Sequence, residues 1–139
     1  MPEFRYAPPF PLDADQLALR EKQLDAAPLP AGVEVDFKPT KAAPANYVSH
    51  HDYVIADMAL FESGLEAQAD GYDALCIDTV SDSGVNALRS VLDIPVVGPG
   101  RSQYTLACML GRRFSIITFS PALRPTGQPA MALPSWCQM

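Results

Sequence analysis

The segment that most constrains the fold is YDALCIDTV, residues 72–80. Its apolar residues fall on both sides of an extended chain instead of on alternate positions. A strand covered on both faces belongs in the middle of a parallel sheet. Parallel neighbours cannot be joined by tight hairpins and need long crossovers, usually helices. The rest of the chain supplies both parts. FRYA reads as a short first strand, stopped by Pro8, Pro9 and Pro11, which carry no ladder donor. VEVDFK alternates apolar and polar residues as a second strand, and IPVVG and FSIITF read as a fourth and a fifth.

Helical patterns separate these strands. Asp13 is placed to cap a helix running to about Ala27, and PLPAG closes it. Ser49 or Asp52 can cap a second helix to about Asp70, with Val54, Met58, Phe61 and Leu65 at helical spacing and Gly64 expected to weaken it without ending it. A short helix is expected from Ser83 to about Val91, and another in PGRSQYTLACML. This alternation predicts an α/β class domain over residues 1–120, a doubly wound parallel sheet in a three-layer αβα arrangement. Ligands of such sheets bind at the carboxyl ends of the strands. The turns at 79–84 and 98–102 therefore fall on the expected functional edge. Residues 121–139 are expected to form an atypical, unstructured tail, since PTGQPAMALPSWCQM has no charge, three prolines and no period.

Charge and composition exclude several functions. The net charge is −6, and residues 1–70 hold five basic against twelve acidic side chains. There is no basic stripe to hold nucleic-acid phosphates, so no nucleic-acid partner is expected. No apolar run approaches the roughly 20 residues of a membrane span, and without a basic-then-apolar opening no signal peptide is expected. Cys76, Cys108 and Cys137 lie far apart without C-x-x-C spacing, and a cytoplasmic location is the default. His50 and His51 are adjacent and so cannot share a helix face, which argues against a two-histidine metal site.

The turn after the third strand carries the strongest chemical signal. Thr79 ends the strand, Ser81 and Asp82 are natural capping residues, and Ser83-Gly84 open a helix with free amides. Such a turn suits a substrate carboxylate. Helix capping alone is a sufficient explanation for Ser81 or Asp82, and more often the right one. In VVGPGRSQ, the lone G-x-G lacks the third glycine and downstream acid of a nucleotide fingerprint, so turn chemistry is the favoured reading.

Residues 71–118 resemble the core of the aspartate/glutamate/hydantoin racemase superfamily. The likeness is carried by GYDA before the strand, S-D-x-G after it, ALR, DIPVVG and LGRRFSIIT. The resemblance implies one half of a two-domain, pseudo-symmetric racemase fold, with the active site between the halves and a cysteine on each substrate face. It implies cofactor-independent proton transfer next to a carboxylate or carbonyl, one thiol acting as base and the other as acid. The family's first cysteine falls on Thr79, whereas Cys76 lies three residues upstream on the strand and reads as core. By the same resemblance Thr79 is the candidate catalytic residue, and Ser81, Asp82, Ser83 and Gly84 are candidate substrate-binding residues, with no metal and no cofactor. The asparagine-rich turn that often follows the family's first strand is replaced here by APPFP.

Family members run well beyond 139 residues, so a truncated form lacking the second catalytic half is expected. It would expose apolar surface and tend to self-associate, with a homo-oligomer one form of that. The expected partner is a small carboxylate or hydantoin substrate. An arylmalonate-type decarboxylase, favoured by Thr79, and a non-catalytic small-anion-binding module are the alternative functions.

Overall fold

The computed structural model describes residues 2–44 and 47–115. Four strands, β1 (Glu3–Ala7), β2 (Glu34–Phe37), β3 (Ala74–Ile77) and β4 (Val96–Val97), alternate with four helices, α1 (Ala14–Asp25), α2 (His50–Gly64), α3 (Val85–Arg89) and α4 (Pro99–Leu110). The strands form one sheet in the order β2-β1-β3-β4, and all three pairings are parallel. β3 lies between β1 and β4, the interior position its two-sided apolar pattern requires. The class is α/β. The chain reverses direction across the sheet after β2, which puts the switch point between β1 and β3.

Helices α2 and α3 pack on the face of the sheet that carries Leu75 and Ile77, and the Arg20–Asp78 pair brings α1 to the opposite face. The α2 and α3 face holds the core. Ala7, Leu60, Ala67, Leu75, Ile77, Val85, Leu88 and Val96 pack there as one cluster. By contrast α1 buries none of its residues completely. Its start follows the sequence pattern. Asp13 accepts from the Gln16 amide at 2.8 Å while Gln16 reaches back to the Asp13 amide at 3.1 Å, a capping box. Ser49 and Asp52 repeat the device at the start of α2.

Two expectations change in detail. Helix α2 ends at Gly64 instead of continuing to about Asp70, and hydrogen-bonded turns carry the chain on to Gly71. A Cβ at Gly64 would lie 2.7 Å from a Leu75 methyl group, so the glycine lets the helix end approach the sheet closely. Of the expected fifth strand, Phe114 and Ser115 belong to no strand. The remainder of FSIITF, the boundary at residue 120 and the tail lie outside the described residues.

The turns after Gly64 are tied to β1 by a buried arginine. Arg5 is 5% exposed, pairs with Asp70 and lies over the Tyr72 ring at 4.2 Å, while Tyr72 donates to Asp36 at 2.8 Å. A guanidinium at that depth needs its carboxylate, because an unpaired buried charge is strongly destabilising. The hydrogen bond and charge of Arg5 hold the Asp70 carboxyl below its usual range.

A second tie joins the turns after β3 and β4. The Asp82 carboxylate accepts from the Gly100 amide at 2.7 Å and the Arg101 amide at 2.8 Å, capping α4 from a different part of the chain. A Cβ on Gly98 would sit 2.6 Å from the Asp82 carboxyl, and one on Gly100 would collide with the Val80 carbonyl oxygen. The G-x-G of VVGPG therefore exists for the close approach of two turns. Asp82 has φ of 54° and Gly84 a φ of 75°, both left-handed, which suits the Asp and Gly found there.

Two outcomes follow from these ties. Asp82→Ala leaves two amides without their charged acceptor and should lower stability by about 2 kcal/mol in urea denaturation. Because the folded-state pKa of Asp70 is depressed, its contribution is present above about pH 4 and is lost as pH falls through the folded value. Asp70→Asn should therefore lower Tm at pH 7 and flatten the acid limb of a Tm-against-pH profile.

Candidate active site

Past the last paired residues, Ala7 and Ile77, β1 and β3 leave the sheet side by side. The first continues into Pro8-Pro9-Phe10 and the second into Asp78-Thr79-Val80. This is the carboxyl edge at the switch point. The turn that follows brings three hydroxyls into line. Thr79 Oγ1 lies 3.0 Å from Ser81 Oγ, and Ser81 Oγ lies 2.9 Å from Ser83 Oγ. Thr79 and Ser81 are half-buried, whereas Ser83 is buried. Two bonds among three hydroxyls use two protons, so one proton remains to be donated outward.

The amides of the same turn divide into two groups. The Asp82 amide donates to the Thr79 carbonyl at 3.0 Å, and the Gly84 amide to Asp57 Oδ1 at 3.0 Å. The amides of Val80, Ser81 and Ser83 meet no acceptor among the described residues. The edge thus offers hydroxyls and backbone donors and no carboxylate at its centre. Donors of this type can hold a carboxylate or a developing enolate oxygen.

Of the residues singled out in the sequence, Thr79, Ser81 and Ser83 come together through their side chains. The Asp82 carboxylate points away into the joint with α4, where its side chain is 2% exposed. Gly84 packs against α2, where a Cβ would fall 3.1 Å from the Asp57 carbonyl oxygen and the Phe61 amide. These two residues shape the turn, and the groups they would present to a ligand are already bonded. Cys76 lies on the sheet face opposite Leu75 and Ile77, half-buried, and burial pushes its thiol pKa up. A thiol placed and shifted in this way is a poor thiolate source.

Asp78 extends the Cys76 face toward α1, and Arg20 lies 3.5 Å from its Oδ2. Burial raises the Asp78 carboxyl pKa. Among the described residues no group of three or more His, Cys, Asp or Glu side chains could hold a metal ion. His51 sits 3.4 Å from Asp52, beside the α2 cap.

Two residues at this edge were not singled out from the sequence. Asp57, on α2, fixes the opening of the 79–84 turn through the Gly84 amide, across a separation of 27 residues. Tyr47 donates from its hydroxyl to the Pro9 carbonyl at 3.0 Å, fastening the loop before α2 to the end of β1. Burial and then the Asp57 charge push the Tyr47 pKa up to about 12. A lone aromatic in a proline-bearing loop was the only trace of the second residue, and it does not distinguish a site from a surface.

Residues 18–131 match the family model described as Asp/Glu/Hydantoin racemase. The hydantoin racemase of Pseudomonas sp. (strain NS671) is 36% identical over 84 residues, which cover 60% of this chain and 34% of that protein. The hydantoin racemase of Rhizobium meliloti is 35% identical over 75 residues, covering 50% of this chain and 31% of the relative. The allantoin racemase of Klebsiella pneumoniae shares the fold with a TM-score of 0.66 at 20% identity, over 78% of this chain and 44% of its own. The chain thus spans about a third of the length of the curated relatives it matches. With the family model matched over most of its length, the chain belongs to the Asp/Glu/hydantoin racemase family.

Proposed function

We propose that the carboxyl edge of this chain serves a cofactor-independent racemase or isomerase acting on a carbon next to a carboxylate or carbonyl. The observation that carries the reading is the Thr79–Ser81–Ser83 hydroxyl chain beside the unengaged amides of Val80, Ser81 and Ser83. Removing a proton from such a carbon places negative charge on the adjoining oxygen, and oriented donors lower the barrier by stabilising that charge. Thr79 stands at the end of β3, where a proton donor would face the reacting carbon. Its hydroxyl is a weak base near neutral pH, so its part is to donate and to polarise, with the Ser81 and Ser83 hydroxyls able to relay the proton.

Racemisation needs an acid or base on each face of the carbon. The group opposite Thr79 would have to be a stronger base. A hydantoin or a related small acid is the substrate class supported by the hydantoin racemase relatives. The hydroxyl at Thr79 also favours a second reading, decarboxylation of an arylmalonate-type diacid, in which a single face of the intermediate is protonated. Among the described residues no helix is long and apolar enough to cross a membrane.

The decisive measurement is solvent-deuterium exchange at the α-carbon of a 5-substituted hydantoin and of L- and D-aspartate, by proton NMR. Exchange should fall at least tenfold in Thr79→Ala and stay within twofold of the parent in Cys76→Ala. Equal exchange in the parent and Thr79→Ala would sink the reading. Loss of carbon dioxide from an arylmalonate without exchange of the hydantoin would select the decarboxylase.

A further inference from the structure

The loop after β1 holds a group of aromatic side chains that the proton-transfer chemistry does not use. The Phe10 and Tyr47 rings meet edge to face with centroids 5.1 Å apart, and Tyr47 and Tyr53 do so at 6.1 Å. Phe10 is 41% exposed despite its size. Tyr47 is held through its hydroxyl, which donates to the Pro9 carbonyl at 3.0 Å, and through its ring contacts with Phe10 and Tyr53. Pro9 and Thr79 each lie two residues past the last paired residues, Ala7 and Ile77, of neighbouring parallel strands, so the Tyr47–Pro9 bond and the 79–84 turn fall at the same carboxyl edge. The aromatic group therefore lies on the same edge of the sheet as the hydroxyl chain.

The charges on this edge point the same way. Arg101 is bonded to Asn86 at 2.9 Å and lies 3.7 Å from Asp82. Arg20 faces Asp78, and Lys41 is paired with Glu62. A substrate with a second carboxylate would find these cations already neutralised and would have to be desolvated against aromatic rings, which is costly. A flat apolar substituent would find edge and face contacts of the kind the three rings already make with one another.

We infer that Phe10, Tyr47 and Tyr53 form a specificity wall that receives the substituent on the reacting carbon, selecting flat apolar or aromatic groups over acidic ones. The inference rests on the carboxyl-edge site proposed above and adds the residues that choose among its substrates. APPFP thus supplies an apolar contact, through Phe10, where the family often has an asparagine-rich turn.

Isothermal titration calorimetry with 5-benzylhydantoin and hydantoin-5-acetic acid tests it without requiring turnover. The benzyl compound should bind about tenfold more tightly. Tyr47→Ala and Phe10→Ala should bring the ratio close to one, while Tyr47→Phe, which keeps the ring, preserves it. Circular dichroism checks each fold, and the exposed Phe10 gives a variant that does not depend on a buried bond. Equal or tighter binding of the acid, a ratio unchanged in the alanine variants, or no binding of either compound overturns the wall. Preferential benzyl binding without α-carbon exchange of that compound keeps the wall and retires the proton-transfer reading. Exchange of both compounds with no preference in binding does the reverse.

Discussion

The arrangement of the carboxyl edge depends on one buried carboxylate. Asp82 belongs by sequence to the turn after β3, but its two oxygens complete the start of α4, 18 and 19 residues away. A carboxylate at a helix N-terminus gains from both the orphan amides and the helix dipole. In the same turn Asp82 and Gly84 take left-handed φ values, and the Thr79, Ser81 and Ser83 hydroxyls meet one another. The two glycines of VVGPG are the space the cap requires.

The same economy recurs on the other side of the turn. The Asp57 carboxylate accepts from the Gly84 amide, and Tyr53 on the same helix meets the Tyr47 ring, so α2 touches both the turn and the aromatic loop. Below them Arg5, Asp70 and Tyr72 hold the start of β3 to β1. Each tie spends a charged group on structure. The donors left open at the edge are neutral hydroxyls and amides. Under the proposed function such donors would stabilise charge that develops during a reaction, because oriented dipoles need no reorganisation.

Much of the fold was legible in the sequence because its signals are local. A strand apolar on both faces, capping boxes at Asp13 and Ser49, and prolines that stop β1 each specify their element with neighbours a few residues away. The end of α2 was not legible. Gly64 looks like an ordinary weak point until Leu75 and Leu88 are seen packed against it. The position of Thr79 could be found from S-D-x-G, but the division of labour inside that motif could not. Asp82 and Gly84 read as ligand contacts only while the partners of their side chain and amide, on α4 and α2, are out of view.

The sequence alone determined the α/β class, the order of the described elements and the place of Cys76 within a strand. These follow from hydrophobic periodicity and turn chemistry, which act over a few residues. Tertiary structure decided which donors remain free, which carboxylates serve the backbone and where Phe10, Tyr47 and Tyr53 meet. Those are contacts between segments tens of residues apart, and only packing assigns each polar group to one partner among the several its chemistry allows.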